Sequence, residues 1–174
     1  YSLFDALFQL HINKEKLSGP GLTFYYKDLF KIWQHPAFQN SDVSLVFEKF
    51  KARIKNQNIV FATKETLLKS CETQIKPWLE ILLNYKHSNP IGIIDAALAL
   101  IDLLKGVTIS RGDNTSLDLE QLFAFARLFN KIKTLNEKYS FIKELKTLHH
   151  LFKQSSKYDS LSFVGEPLSG LQLM

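Results

Sequence analysis

Apolar residues return along most of the chain at spacings of three and four, the period of one helix face. Leu3, Leu7 and Leu10 form such a stripe, and Ser2 with Asp5 three residues on has the form of a capping box, so a helix is predicted from the start of the chain. Ser18-Gly19-Pro20-Gly21 breaks it. A second helix is predicted over Tyr25 to Gln34, with Tyr25, Leu29, Phe30 and Trp33 on one side, stopping near His35 because Pro36 disfavours a helical residue before it. Ser41 or Asp42 would cap a third helix carrying Val43, Val46, Phe47, Phe50 and Ile54, ended by Asn56 to Asn58 and followed by a short extended link, Ile59-Val60-Phe61.

Thr63 reads as the cap of a helix containing Leu67 and Leu68, and Pro77 as the first-turn proline of another, from Trp78 to about Tyr85. Asn89-Pro90 introduces the most apolar stretch, IGIIDAALALIDLLKG, which Gly106 is expected to terminate. Its polar residues, Gly92, Asp95 and Asp102, share one narrow strip, so this helix should be buried almost all round at the centre of the fold. Beyond the RGDNTSLD loop, with caps at Thr115 or Ser116, a helix to about Leu135 should bury Leu119, Leu122, Phe123, Ala126, Phe129 and Ile132. A last helix, Phe141 to Phe152, repeats the spacing with Phe141, Leu145, Leu148 and Phe152. The end of the chain, with Leu161-Ser162-Phe163 and the alternating Leu171 to Met174, reads as extended. The expectation is an all-α, mainly helical single domain over 1–158 with a short extended, β-like C-terminal tail over 159–174.

Composition fits that picture. Of 174 residues, 45% are hydrophobic and 13% aromatic, including 14 Phe, which supplies a core and argues against disorder. A single Cys71 excludes an internal disulfide framework and favours a reducing compartment, so a cytoplasmic location is expected. No apolar run is long enough to span a bilayer, and no membrane partner is expected.

The chemistry-bearing residues do not assemble into a catalytic pattern. There is neither a G-x-x-x-x-G-K-[ST] nor a G-x-G-x-x-G phosphate loop. One Cys and five scattered His lack the ligand spacing of a zinc site, and His149 and His150, being adjacent, point to different sides of a helix. Asp95 and Asp102 share a helix face, but without the Glu-x-x-His motifs of di-metal bundles they read as the polar strip of a buried helix. Arg111-Gly112-Asp113 suits a turn before a helix, and Cys71 has no base to activate it. No catalytic, cofactor-binding or metal-binding residue is therefore predicted.

Charge adds one suggestion. The net charge is +5, with a sequence pI near 9.2, so a polyanion is a permissible partner. Lys131, Lys133, Lys138, Lys143, Lys146, Lys153 and Lys157 face only Glu137, Glu144 and Asp159, and Lys49, Lys51, Arg53 and Lys55 cluster at the end of the third helix. Two readings stand. Lys131, Lys133, Lys143, Lys146 and Lys153 suit weak, sequence-independent contact with a DNA backbone. A solvated face, with lysines placed at helix C-termini by the macrodipole, would carry the same residues. Aromatics do not interleave with these lysines, so base stacking is not indicated.

The ends of the chain carry a resemblance. Phe163-Val164-Gly165-Glu166-Pro167-Leu168, then Gly170-Leu171-Gln172-Leu173-Met174, resembles the approach to the late helicase motif of AddB-like helicase–nuclease proteins, in which a G-[LV]-Q-[ILV]-M strand leads to an Arg- or Lys-bearing element. Tyr1-Ser2-Leu3-Phe4-Asp5-Ala6-Leu7-Phe8, Phe24-Tyr25-Tyr26-Lys27-Asp28 and His35-Pro36 look like the segment just after the second motor domain of that family begins. The resemblance implies a helical accessory domain inserted in a superfamily 1 motor domain, with 159–174 leading back into a host strand. The parent would act in DNA double-strand break repair and carry a PD-(D/E)XK nuclease. ATP and Mg would belong to the parent alone. The implied partners are DNA and the remaining domains of the parent chain or a partner helicase–nuclease subunit. The competing expectation is a stand-alone helical protein–protein interaction domain with an exposed apolar groove and no basic face.

Overall fold

A computed structural model of the chain describes residues 1–16, 23–38, 43–85, 89–111 and 115–162. In chain order these form α1 (Ser2–Lys16), β1 (Thr23–Tyr25), α2 (Tyr26–Trp33), a 3-10 turn (Pro36–Phe38), α3 (Ser44–Asn56), β2 (Phe61–Thr63), α4 (Lys64–Ser70), α5 (Lys76–Leu82), α6 (Gly92–Arg111), α7 (Thr115–Tyr139) and α8 (Leu145–Ser162). The protein is mainly α-helical, as its periodicity predicts. Among the described residues no helix is long and apolar enough to cross a membrane.

α1 runs through the middle of the core. Phe4 and Phe8 are buried against Phe129 and Phe152 respectively, with ring centroids 5.1 and 5.2 Å apart, and Phe152 in turn stacks on Phe129 at 5.5 Å. Phe129 lies before, and Phe152 after, a short connection at 140–144, so α7 and α8 form an antiparallel helical hairpin clasping the first half of α1. α6 packs antiparallel on α7: Asp95 near its start pairs with Lys133 at 2.7 Å, and Lys105 near its end sits 4.7 Å above the Phe123 ring. Ile93, Ile94, Ala97, Leu100 and Ile101 of α6 are completely buried. Its two aspartates face outward, as the polar strip requires.

The two short strands pair antiparallel, Thr23 opposite Thr63, Phe24 opposite Ala62 and Tyr25 opposite Phe61. Alternation along a strand sends Phe24 and Ala62 into the core and the other two pairs outward. Thr63 then caps α4 as predicted, its Oγ1 accepting from the Thr66 N–H at 3.2 Å. Pro77 lies in the first turn of α5.

Several boundaries differ from expectation: α5 ends at Leu82, and α7 runs on to Tyr139 and leaves Phe123, expected to be buried, exposed. Gly106 does not end α6, which continues to Arg111. Glycine costs a helix interior roughly 1 kcal/mol, and the buried Thr108 beyond it keeps the packed face going. The last helix begins at Leu145 rather than Phe141: Ser140 takes a left-handed conformation (φ 49°) and the Asn136 side chain accepts the Ile142 N–H at 2.8 Å, so the chain turns there and Phe141 is left exposed. Finally, α8 extends through Ser162, so residues 159–162 are helical and do not begin the extended tail. Residues 163–174, the 18–21 break, the Ser41 and Asp42 caps and Gly112-Asp113 lie outside the described residues.

Candidate functional site

The five predicted lysines divide into three settings. Lys133 donates to Asp95 Oδ1 at 2.7 Å, a bond that raises the pKa of its amine. Lys153 lies 3.3 Å from Asp5 Oδ1, the same oxygen that accepts from His149 Nε2 at 2.6 Å. Both lysines therefore serve contacts between helices. Lys131 is exposed on α7, on one face with Arg127, Thr134 and Lys138 at spacings of four, three and four. Arg127 was missed in the sequence reading, yet its i, i+4 relation to Lys131 is a signal that could have found it.

Lys143 and Lys146 come together. With Lys16 from the end of α1 they border a cleft of about 570 Å³, lined also by Ile12, Glu15, Tyr85, Pro90, Glu144 and Leu145. All three lysines are exposed, and none makes an ion pair among the described residues. Tyr85 Oη donates to Glu15 Oε1 at 2.9 Å; burial, and then that bond, push the tyrosine pKa up.

The local folding explains why these cations are unusual. The Glu144 carbonyl accepts from the Leu148 N–H at 3.2 Å, so α8 starts directly after Glu144. Lys143 and Lys146 thus flank a helix N-terminus, the positive end of the peptide dipoles, where carboxylates and not ammonium groups are stabilised. The macrodipole explanation of the lysines fails for this pair. Three cations bordering one opening, beside Glu15 and Glu144, suit an oxyanion such as a phosphodiester.

The other basic group is half paired, with Lys49 and Lys55 making no ion pair among the described residues. Lys51 pairs with Glu48 at 3.0 Å and Arg53 with Glu72 at 2.7 Å. Cys71 is half-buried, its pKa raised by that burial. Among the described residues no cluster of three or more His, Cys, Asp or Glu is arranged to hold a metal ion.

Compared with protein-family models, curated proteins and solved structures, the chain matches none of them.

Proposed function

We propose that this chain is a noncatalytic helical module of an AddB-like helicase–nuclease acting in DNA double-strand break repair and recombination in the cytoplasm, and that it contributes part of the DNA path. The observation that carries DNA contact is the cleft bordered by Lys16, Lys143 and Lys146 at the start of α8. Three ammonium groups with no carboxylate partner among the described residues gain an anionic one from a phosphodiester. The family assignment is supported by the Gly170-Leu171-Gln172-Leu173-Met174 and Tyr1 to Phe8 segments.

Fluorescence anisotropy with a labelled duplex tests the DNA contact. Weak binding at low salt should fall steeply between about 50 and 200 mM. The double substitution Lys143→Ala and Lys146→Ala should weaken it and lower the slope of log affinity against log salt by about two. Absence of binding even at the lowest salt would remove DNA contact. The parent is tested by the reading frame after Met174: an Arg- or Lys-bearing element followed by Leu-Asp-Phe supports it, and a stop codon removes it.

A second reading, a stand-alone protein–protein interaction domain, draws on Leu135, Tyr139 and Phe141, exposed together around the turn between α7 and α8. Under that reading, substituting these three abolishes a protein complex and leaves DNA binding unchanged.

A further inference from the structure

A second surface, built on residues that do not line the lysine cleft, combines aromatic rings with cations. On the outward face of the β1–β2 ribbon Tyr25 stands opposite Phe61, their ring centroids 5.4 Å apart, while the inward pair, Phe24 and Ala62, is buried. Tyr26 meets Tyr25 edge-on at 5.2 Å. Lys27 is exposed and its Nζ lies 5.8 Å from the Tyr25 ring and 6.0 Å from the Tyr26 ring. One layer behind, Phe30 packs edge-on to Tyr26 at 5.2 Å and carries Lys51 and Lys55 over its ring, at 5.8 and 5.9 Å.

Cross-strand pairing accounts for Tyr25 and Phe61 lying together, but not for how much of the phenyl ring remains outside. Phe61 is 49% exposed and its neighbour Val60 47%, both on the edge of a two-stranded ribbon where a polar residue would cost nothing. The charges placed around the rings are mixed but lean cationic: Lys27 lies beside Tyr25 and Tyr26, Lys64 is opposed by Glu65, and Lys51 is paired with Glu48. A partner that fits must bring flat apolar faces for the rings and anionic groups for the ammonium ions along the same strand. Exposed bases joined by phosphodiesters have that alternation, whereas in a duplex the base faces are already stacked.

We infer that the outward Tyr25–Phe61 pair of the β1–β2 ribbon, with Tyr26 at the start of α2, Lys27 beside the rings and Lys55 one layer behind over Phe30, is a stacking platform for single-stranded nucleic acid. The platform deepens the DNA-binding reading but stands on residues that do not border the lysine cleft. Bases stack on Phe61 and Tyr25 while Lys27 and Lys55 take the flanking phosphates. Such binding is tolerant of sequence and prefers single strands.

The test is a Phe61→Trp reporter titrated with oligo-dT of about 20 nucleotides, ample for one platform. The native Trp33 and Trp78 are buried and supply a constant background. Quenching that saturates with oligo-dT is expected. An abasic phosphodiester of equal length and charge should quench little. Phe61→Ala, with unfolding midpoint checked, should lower oligo-dT affinity at least about fivefold and leave the salt slope unchanged. Equal quenching by the abasic strand or by heparin would reduce the surface to a general cation patch and overturn the platform. The two sites fail separately. Loss of duplex affinity on substituting Lys143 and Lys146, without quenching at position 61, sinks the platform alone; the reverse pattern sinks the cleft alone.

Discussion

The two halves of α1 are held by different physics. The first half, Ser2 to Phe8, is gripped by rings: Phe4 and Phe8 reach Phe129 and Phe152 respectively, and Tyr1 stacks on Phe152 at 5.5 Å. Its polar contacts, Asp5 with His149 and Lys153, lie at the edge of that cluster. The second half, His11 to Lys16, is held by buried polar groups. His11 is completely buried and its Nε2 donates to the Leu82 carbonyl at 2.8 Å, while Asn13 donates to the buried Asp28 at 2.8 Å. The ring-held half depends chiefly on packed volume, whereas the polar half holds a buried imidazole that is sensitive to protonation. The candidate DNA cleft borders the polar half, through Ile12, Glu15 and Lys16.

The largest expected effect breaks the ring-held half. Phe152 is fully buried between α1 and α7. Phe152→Ala should destabilise the fold by about 3–5 kcal/mol, since a cavity replaces the ring that joins three helices. Urea denaturation reads this directly, and a loss under about 1 kcal/mol would show that the cluster does not fasten the hairpin to α1.

Next comes the pH response of the polar half. His11 has its Nδ1 buried with no hydrogen-bond partner among the described residues, and burial drives its pKa down to about 3, outweighing the bond to the Leu82 carbonyl. Above pH 6.5 the imidazole is neutral in both states, and the full stability is present. As pH falls through 6.5 the unfolded chain takes up a proton that the folded one refuses, and stability declines until about pH 3. Between pH 7 and 5 the His11 contribution is about 2 kcal/mol. His11→Gln keeps a donor for Leu82 and cannot titrate, so its stability should fall less over that interval. Equal pH dependence of the two proteins would place the sensitivity elsewhere, for instance at His35, whose pKa burial also lowers.

A smaller effect belongs to the edge of the ring cluster. Asp5 is partly exposed and shares one oxygen between His149 and Lys153. Asp5→Asn should cost about 1 kcal/mol at low salt and less at high salt, in the manner of solvent-screened ion pairs. A loss that ignores salt would mean that geometry, not charge, gives the carboxylate its value.

How much of this could be read from the sequence differs between the same regions. The stripe of Leu3, Leu7 and Leu10 and the run of α6 were legible because helical periodicity is a local signal. The turn at Ser140 was not, since neither Gly nor Pro marks it and Phe141 extends the apolar spacing. The ribbon was invisible because three-residue strands carry almost no pattern, and its outward aromatic pair joins residues 25 and 61. For the same reason the aromatic–lysine surface is not legible from lysines that are neighbours in sequence. Among the candidate lysines, charge was legible but use was not. Lys133 and Lys153 find acids 38 and 148 positions earlier, Asp95 and Asp5, and only the packed helices bring them together. Lys143 and Lys146 changed meaning once α8 began at Leu145, because a helix N-terminus is a poor place for a cation that has no anion to meet.

The finest test of the comparison adjusts charge at the cleft from within the polar half of α1. Glu15 borders the opening together with Lys16, Lys143 and Lys146. Glu15→Gln keeps an oxygen to accept from Tyr85 while removing one negative charge. One charge at the distance of a bound phosphate, in water, changes affinity by about twofold. Glu15→Gln should therefore tighten duplex binding by about that factor at low salt. Glu80, exposed on α5 and outside the cleft lining, supplies the control, because Glu80→Gln alters net charge equally. If the cleft holds the phosphate, the Glu15 substitution exceeds the Glu80 one, and the gap closes as salt rises past the screening length. If the two substitutions act alike at every salt concentration, DNA responds to net charge alone, and the lysines at the start of α8 are not its contact.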